Sequence, residues 1–170
     1  TVTAQANAQV STAQSKFGSA SAAFDGGSDC LLLDGSDNFA FGSGDFTVEA
    51  FIRWSAQDAQ HKNFYDSRPS SSADDDYPCL QLTNAGVLRF LRGDVVVITG
   101  PTLSLNTWYH VAVAREDGVS RLFLDGVVVG SATDATAYRN GANRPVIGSQ
   151  GKDTTDHEFQ GWIDELRVSK

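Results

Sequence analysis

The chain has 170 residues, of which 41% are hydrophobic and 20% are charged, and its formal net charge is −8 at pH 7. A chain of this length can bury about 70% of its unfolded surface, so one domain with a full core is expected. The acidic balance excludes nucleic acid and anionic membranes as partners, because binding to phosphates needs clustered Lys and Arg. No apolar run approaches the length of about 18 residues that a membrane span needs, so membrane insertion is excluded as well.

Short apolar runs follow one another along most of the chain. Residues 1–16 are polar and rich in Ala, and we expect them to lead into the domain that residues 17–170 form. Within that domain the runs are SAAFDG, CLLLDG, FTVEAFIRW, CLQLTNAGVLRFLRG, VVVITG, WYHVAVAREDGVSRLFLDGVVVG, RPVIGS and GWIDELRVS. Short strands at this spacing, separated by Gly, Asn and Asp, are typical of an all-β sandwich.

Three turns between these runs predict antiparallel hairpins. They lie at 84–86 (Asn-Ala-Gly), at 116–118 (Glu-Asp-Gly) and at 125–126 (Asp-Gly). Asp-Gly is well suited to a type I′ turn, in which both central residues have positive φ. Each turn therefore joins neighbouring strands of one sheet.

The faces of two strands can be read from alternation, because successive side chains in a strand point to opposite sides. In FTVEAFIRW, Phe46, Ile52 and Trp54 belong to an apolar row, and the intervening residues form a semi-polar outer row. In the last strand, GWIDELRVSK, alternation places Asp164 on the same face as Trp162 and two aliphatic residues. A buried, unpaired charge costs several kcal/mol, so Asp164 is expected to have a partner.

Two long loops and two cysteines interrupt the strand pattern. The loops span residues 66–78 and 131–158, the second with only a short strand inside it, and loops of this length often carry function.

Cys30 and Cys79 both fall in strand-like runs and lack the spacing of a metal site. They are either two buried free thiols or a disulfide between strands.

Three stretches resemble laminin G-like domains with the concanavalin A-like jelly roll. SAAFDGGSDCLLLDGSDNFAFGSGDFTVEAFIRW resembles their opening strands, TWYHVAVAREDGVSRLFLDGVVVGSA their central hairpins, and PVIGS followed by FQGWIDELRVSK their closing strands. The resemblance covers residues 17–170 and implies an all-β sandwich of two antiparallel sheets. GSGDFTVEAFIRW and GWIDELRVSK are also similar to variants found in bacterial surface proteins and in phage tail or fibre proteins.

The resemblance also implies a structural calcium ion, since members of this superfamily often hold Ca²⁺ near the first and last strands. It places Asp25 beside Asp164 as metal ligands, and carboxylates with backbone carbonyls are the oxygen donors that Ca²⁺ prefers. The alternative stays open that Asp164 caps backbone N–H groups or pairs with an arginine. The acidic run at 74–76 lacks the spacing of a calcium loop and is expected to be a solvated surface.

Sugar binding needs aromatic faces and planar polar groups, and the two long loops supply both. The candidate ligand-binding residues are Asp66, Arg68, Tyr77, Tyr138, Arg139, Asn140 and His157. Catalysis has less support, because retaining glycosidases need two carboxyl groups about 5 Å apart. The strand FTVEAFIRW offers only Glu49, and the three histidines are scattered along the chain.

These observations predict a non-catalytic recognition or adhesion module that binds carbohydrate. It would belong to a larger extracellular protein at a cell surface or on a virion, with a surface glycan or a neighbouring protein as its partner. The alternative is a structural or protein-interaction domain, such as a decoration or fibre spacer, that binds no glycan.

Overall fold

A computed structural model of the chain describes residues 1–69, 76–141 and 144–170. The strands, in chain order, are β1 (Val2–Gln5), β2 (Gln9–Ser11), β3 (Ser21–Asp25), β4 (Cys30–Leu33), β5 (Phe46–Trp54), β6 (Lys62–Asp66), β7 (Pro78–Leu82), β8 (Val87–Arg92), β9 (Val95–Thr102), β10 (Tyr109–Glu116), β11 (Val119–Leu124), β12 (Val127–Thr133), β13 (Val146–Ile147) and β14 (Gln160–Ser169). A short 3₁₀ helix at Asp37–Phe39 lies between β4 and β5.

The strands form two seven-stranded antiparallel sheets. Sheet I has the order β1-β4-β13-β6-β7-β8-β9, and sheet II has the order β12-β11-β10-β5-β14-β3-β2. The two sheets pack face to face around one hydrophobic core, so the prediction of an all-β jelly-roll sandwich is confirmed. The described residues contain no helix with the length and apolarity to cross a membrane.

Strand β5 shows why the sheets pack as they do. Its residues alternate strictly between buried and half-buried positions along the whole strand. Phe46, Ile52 and Trp54 are at most 2% exposed and face the core, as the alternation predicted. Glu49 and Phe51 lie on the outer face of sheet II. Burial of such large side chains stabilises the sandwich by about 1.5–3 kcal/mol each.

The predicted turns are present. Glu116 pairs with Val119 across a two-residue turn whose central residues, Asp117 and Gly118, have φ of 49° and 69°. Asp125 and Gly126 have φ of 49° and 80° between β11 and β12. Positive φ at both central positions is the geometry of a type I′ turn, which matches the twist of the flanking strands.

The N-terminal segment is part of the sandwich, contrary to the expectation that residues 1–16 only lead into it. Strand β1 pairs with β4 at one edge of sheet I, and β2 pairs with β3 at one edge of sheet II. Ala8, between the two strands, is only 7% exposed and belongs to the core. Residue 16 is therefore not a domain boundary, because the residues before it and after it belong to the same sandwich.

A bulge in β14 explains the position of Asp164. Asp164 pairs with Phe51 and Arg167 pairs with Glu49, so three steps along β14 match two steps along β5. The extra residue reverses the alternation, and Val168 therefore faces the core opposite Val48 whereas Asp164 faces outward. The prediction that Asp164 shares the face of Leu166 and Val168 is wrong, because a strict alternation cannot anticipate an inserted residue.

Cys30 and Cys79 are two buried free thiols. Strands β13 and β6 lie between β4 and β7, which carry the two cysteines. Three strand spacings amount to about 14 Å, and a disulfide needs Cα atoms within about 7 Å. The structure therefore contradicts the alternative of an inter-strand disulfide.

Candidate functional site

The two long loops meet at one end of the sandwich. The backbone N–H of Arg139 donates to the carbonyl of Asp76 at 2.7 Å, and that of Gly141 donates to Ser67 at 3.1 Å. Asp74 and Asp75 of the acidic run lie outside the described residues. The loops are neighbours, yet the residues predicted to bind a ligand do not form one surface there.

Asp66 and Arg68 form a buried ion pair. Asp66 is 0% exposed and Arg68 is 1% exposed. Arg68 Nη2 donates to Asp66 Oδ2 at 2.6 Å, and the backbone N–H of Gly151 donates to the same oxygen at 2.9 Å. The other terminal nitrogen of Arg68 pairs with Asp94. Because both groups are enclosed and fully partnered, the pair holds the loop of Gly151 against β6 and is not presented to a ligand.

Tyr138 lies in the core, whereas the sequence predicted that it would lie on a binding loop. Tyr138 is 2% exposed, its ring packs edge-on against Phe46 with centroids 5.5 Å apart, and its hydroxyl donates to Asp134 Oδ2 at 2.9 Å. The expectation that Tyr138 offers its ring to a sugar is therefore not met in this structure. Its neighbour Arg139 is exposed, and Asn140 donates from Nδ2 to the carbonyl of Ser36 at 3.2 Å.

The predicted calcium ligands Asp25 and Asp164 do not lie together. Asp25 is opposite Gln160 in the register of β3 and β14, four residues along β14 from Asp164. Asp164 Oδ2 accepts the backbone N–H groups of Lys16 and Phe17 at 2.8 and 3.0 Å, and its Oδ1 accepts that of Glu165 at 3.0 Å. Asp164 therefore caps backbone groups, which was the alternative left open by the sequence.

The pair Asp25 and Asp164 consequently does not fit a single ion. Asp25 accepts hydrogen bonds from Asn7 Nδ2 and from the backbone of Gly27. Among the described residues, no cluster of three or more His, Cys, Asp or Glu side chains is arranged to hold a metal. Calcium binding by this chain stays a prediction, to be tested in solution.

His157 does belong to a cluster, on the outer face of sheet I. Its ring stacks on that of His61, with centroids 5.3 Å apart and an angle of 16° between the planes. His157 Nδ1 lies 2.8 Å from Gln150 Nε2, and His61 Nδ1 accepts the backbone N–H of Asn84 at 3.1 Å. The two rings are therefore held in place by the chain on either side of β6.

The electrostatic surroundings keep these imidazoles neutral near pH 7. Burial lowers the pKa of His61, and the nearby guanidinium of Arg89 lowers it further, whereas Asp156 opposes them. Burial also lowers the pKa of His157 against the opposing effect of Asp156. A neutral imidazole offers one N–H donor and one acceptor nitrogen, and its ring face is flat.

A row of polar side chains crosses the same face beside the histidines. Asn63, Gln81 and Arg89 are register partners on β6, β7 and β8. Gln81 Nε2 donates to Asn63 Oδ1 at 2.8 Å, and Asn63 Nδ2 donates to Asp66 Oδ2 at 2.9 Å. Phe64, next to Asn63 in β6, and Leu88, next to Arg89 in β8, face the core. This row is therefore an ordered polar surface, and Arg89 lies at one end of it.

Arg89 is a half-buried arginine whose guanidinium has, among the described residues, no partner of the kind that the other arginines have. Arg68, Arg92, Arg121 and Arg167 form ion pairs with carboxylates. Arg115 donates to backbone carbonyls, and the guanidinium of Arg53 lies over the ring of Trp162. Arg89 forms no ion pair with any carboxylate of the described chain, and its Nε is buried without a hydrogen-bond partner. Leaving a buried donor unsatisfied costs about 1–3 kcal/mol, and more when it is charged. We refer to His61, Gln81, Arg89, Gln150 and His157 together as the histidine–arginine patch.

Two other buried side-chain atoms of the described chain lack a partner, Asn140 Oδ1 and Trp162 Nε1. Both belong to neutral groups. Trp162 packs against Arg53 on the outer face of sheet II, with the guanidinium 5.1 Å from the ring. Arg89 is the charged member of the three, and it alone adjoins the two neutral imidazoles, so we take its patch as the candidate site.

Sequence reasoning found only His157 of this patch. Arg89 sits in a run of alternating apolar residues, VLRFLR, and its outward position was readable from that alternation. The stacking of His61 on His157 was not readable, because 96 residues separate them and only the folded sheet brings them together.

Comparison with solved structures supports the fold. Domain 4 of an extracellular GH43 arabinanase from Geobacillus stearothermophilus, solved with arabinotriose, is 19% identical with a TM-score of 0.70, over 99% of this chain and 80% of that one. The CBM40 of a Ruminococcus gnavus sialidase, bound to α2,3-sialyllactose, is 17% identical with a TM-score of 0.61, over 76% of each chain. The carbohydrate-binding module CBM66 from Bacillus subtilis is 16% identical with a TM-score of 0.58, over 99% of this chain and 95% of that one.

A search of curated protein sequences finds no match. The sequence profile of a laminin G-type family, described as the concanavalin A-like lectin/glucanases superfamily, matches residues 25–170. That range includes most of the three stretches that carried the resemblance, and all of the histidine–arginine patch. The chain therefore belongs to the concanavalin A-like lectin/glucanases superfamily.

Proposed function

We propose that this chain is a non-catalytic carbohydrate-binding module and that its ligand lies on the histidine–arginine patch. The observation that carries the proposal is the unpaired guanidinium of Arg89 on an ordered polar face. A sugar hydroxyl or acid group could supply the acceptor that Arg89 lacks in the described chain. Three similar structures are carbohydrate-binding modules or a domain solved with an oligosaccharide, which supports the class of ligand.

The patch has the chemistry that a sugar requires. Ligand sites combine a few well-placed polar groups with flat or apolar surface, and the polar groups fix the orientation of the ligand. Here the stacked rings of His61 and His157 supply flat surface, and the amides of Gln81 and Gln150 supply donors and acceptors. Because hydrogen bonds already hold both amides and both rings, binding would require little further ordering.

The state of Glu49 favours binding over catalysis. Although burial raises it, hydrogen bonds from Arg167 and His110 hold the pKa of Glu49 below its ordinary value. A glycosidase acid needs the opposite, a carboxyl group whose pKa is raised so that it carries a proton near neutral pH. His110 Nε2 lies 2.9 Å from Glu49 Oε2, and Arg167 Nε donates to Oε1 at 2.7 Å, so Glu49 is held as an ion-paired strand residue.

The proposed setting is extracellular, within a larger protein at a cell surface or on a virion. The similar domain of the Geobacillus stearothermophilus arabinanase supports this setting, since that enzyme is extracellular. The acidic net charge of −8 would keep such a domain soluble in that setting.

A glycan array followed by calorimetry tests the proposal. We expect at least one glycan to bind, and Arg89→Ala to weaken that binding by about 10-fold to 100-fold, the effect of losing a hydrogen bond to a charged group. Arg121→Ala is the matched control, because Arg121 is a half-buried arginine on β11 of the other sheet. Equal affinity of wild type and Arg89→Ala would place the site elsewhere.

A second function is favoured by a separate observation. Four valines at adjoining edges of the two sheets are exposed: Val95 and Val96 on β9 at 52% and 41%, and Val127 and Val128 on β12 at 66% and 50%. Exposed edge strands with apolar side chains are surfaces on which another protein chain can pack. We infer that this edge suits contact with a protein, as the alternative of a structural domain requires. Replacement of Val96 and Val128 by Thr should then reduce any self-association seen by sedimentation.

A further inference from the structure

We propose that the histidine–arginine patch selects sugars that carry a carboxylate, and that Arg89 binds the carboxylate through Nη1 and Nη2. This inference rests on the proposed carbohydrate-binding function and narrows it to one class of ligand. It is carried by three features of the patch: the unbalanced charge of Arg89, the geometry of its free nitrogens, and the neutrality of its neighbours.

Among the described residues, no carboxylate forms an ion pair with Arg89. The chain has a net charge of −8, and Arg68, Arg92, Arg121 and Arg167 each have a carboxylate within 4 Å. Arg53 also lacks an ion pair within the described chain, but its guanidinium is covered by the ring of Trp162. Arg92, only three residues along β8, pairs with Asp76 across 3.4 Å. An arginine left without an ion pair in so acidic a chain is one whose counter-ion can come from a ligand.

The geometry of the guanidinium restricts how that ligand approaches. Nε is buried, so it is closed to a bound molecule. Nη1 and Nη2 form no hydrogen bond within the described chain and are not among its buried atoms, so they reach solvent. The two terminal nitrogens form a planar fork, and a carboxylate is planar with two acceptor oxygens at matching separation. A neutral sugar can offer two adjacent hydroxyl oxygens to the fork, but these oxygens carry no charge, so their hydrogen bonds to the guanidinium are weaker than those of a carboxylate.

The surroundings of Arg89 match a single negative charge. His61 and His157 are neutral near pH 7, as their lowered pKa values indicate, so the patch carries one positive charge. Asp156 lies at its margin, with Oδ2 3.2 Å from His157 Nδ1. The Asp66–Arg68 pair below it is internally balanced. One cation beside an acidic margin favours a lone carboxylate over a densely charged polyanion.

The test uses matched pairs of sugars that differ only in the acid group. Calorimetry or ligand-observed NMR would compare the methyl glycosides of glucuronic acid and glucose, and those of galacturonic acid and galactose. We expect at least one acidic member to bind about tenfold or more tightly than its neutral partner. Arg89→Gln should abolish that ratio and Arg89→Lys should restore part of it, whereas Arg121→Gln should leave it unchanged.

The outcomes separate this inference from the proposed function. If acidic and neutral partners bind equally and Arg89→Gln weakens both, the module binds carbohydrate but the carboxylate assignment is overturned. If a sulfated monosaccharide binds as tightly as the uronic acid, the site selects anions in general and the assignment is again overturned. If no glycan of any kind binds, the proposed function fails and this inference fails with it. Thermal unfolding of each variant checks that the fold is retained.

Discussion

Replacing Asp164 by Ala should destabilise the domain without any involvement of metal. The carboxylate accepts three backbone N–H groups, two of them from Lys16 and Phe17 in the segment that crosses the outer face of sheet II. A hydrogen bond to a charged group contributes about 1.5–3 kcal/mol. The exposed backbone at residues 16–17 can be rehydrated after the substitution, so we expect a net loss of about 3 kcal/mol. In a domain of this size that lowers the melting temperature by about 6–12 °C.

Urea unfolding of wild type and Asp164→Ala, each with calcium and with chelator, measures the effect. Asp164→Asn should cost less, because the amide oxygen can still accept one of the bonds. Asp153→Ala is the matched control, since Asp153 is an exposed carboxylate that accepts hydrogen bonds from Thr155 alone among the described residues. An equal loss of unfolding free energy in Asp164→Ala with calcium and with chelator supports the capping of backbone N–H groups by Asp164. A stabilisation of wild type by calcium that vanishes in Asp164→Ala would refute the reasoning and assign the carboxylate to a metal.

Three further outcomes follow from buried groups. Tyr138→Ala should cost about 3 kcal/mol of unfolding free energy in urea, because it removes a core ring, and an unchanged midpoint would show that the ring is not packed. Burial raises the pKa of Cys30 to about 11 and that of Cys79 well above its ordinary value. Iodoacetamide at mildly alkaline pH should therefore label neither thiol until the chain is unfolded. Rapid labelling of the folded chain, detected by mass spectrometry, would contradict this. Since the folded pKa values of His61 and His157 are lowered from an unfolded value of about 6.5, the unfolded chain binds more protons as the pH falls through that value, and stability should decline there. Replacing both histidines by Gln should flatten that part of the pH profile, and an unchanged slope would contradict the lowered pKa values of the two half-buried imidazoles.

The fold was predictable because its signals are local. Two Asp-Gly turns and the alternation of FTVEAFIRW fix hairpins and faces within about ten residues of chain. The pairing of β1 with β4 was not predictable, because Val2 and Ala4 are too few and too exposed to mark a buried face, and the strand is held by backbone hydrogen bonds. The bulge at Asp164 was hidden for a related reason, since an inserted residue changes register without changing composition.

The candidate site was predictable only in part. His157 was chosen for its residue type in a long loop, and it does belong to the patch. Asp66 and Arg68 were chosen for the same reason, yet they neutralise each other inside the protein. Whether a charged side chain binds a ligand or another part of its own chain depends on partners far away in sequence. For Arg89 the decisive fact is that no carboxylate in the described part of the chain pairs with it, which only the folded structure shows.

Both ends of the chain reach the same short stretch between β4 and β5. The amino group of Thr1 lies 3.0 Å from Asp34 Oδ2, and Lys170 Nζ donates to the carbonyl of Asp37 at 2.7 Å. A domain whose two ends lie near one short stretch of its own chain can be inserted into a surface loop of a host protein without separating the ends of that loop widely. The chain is therefore suited to insertion as a domain into another protein, with the face that carries Arg89 left accessible for binding assays.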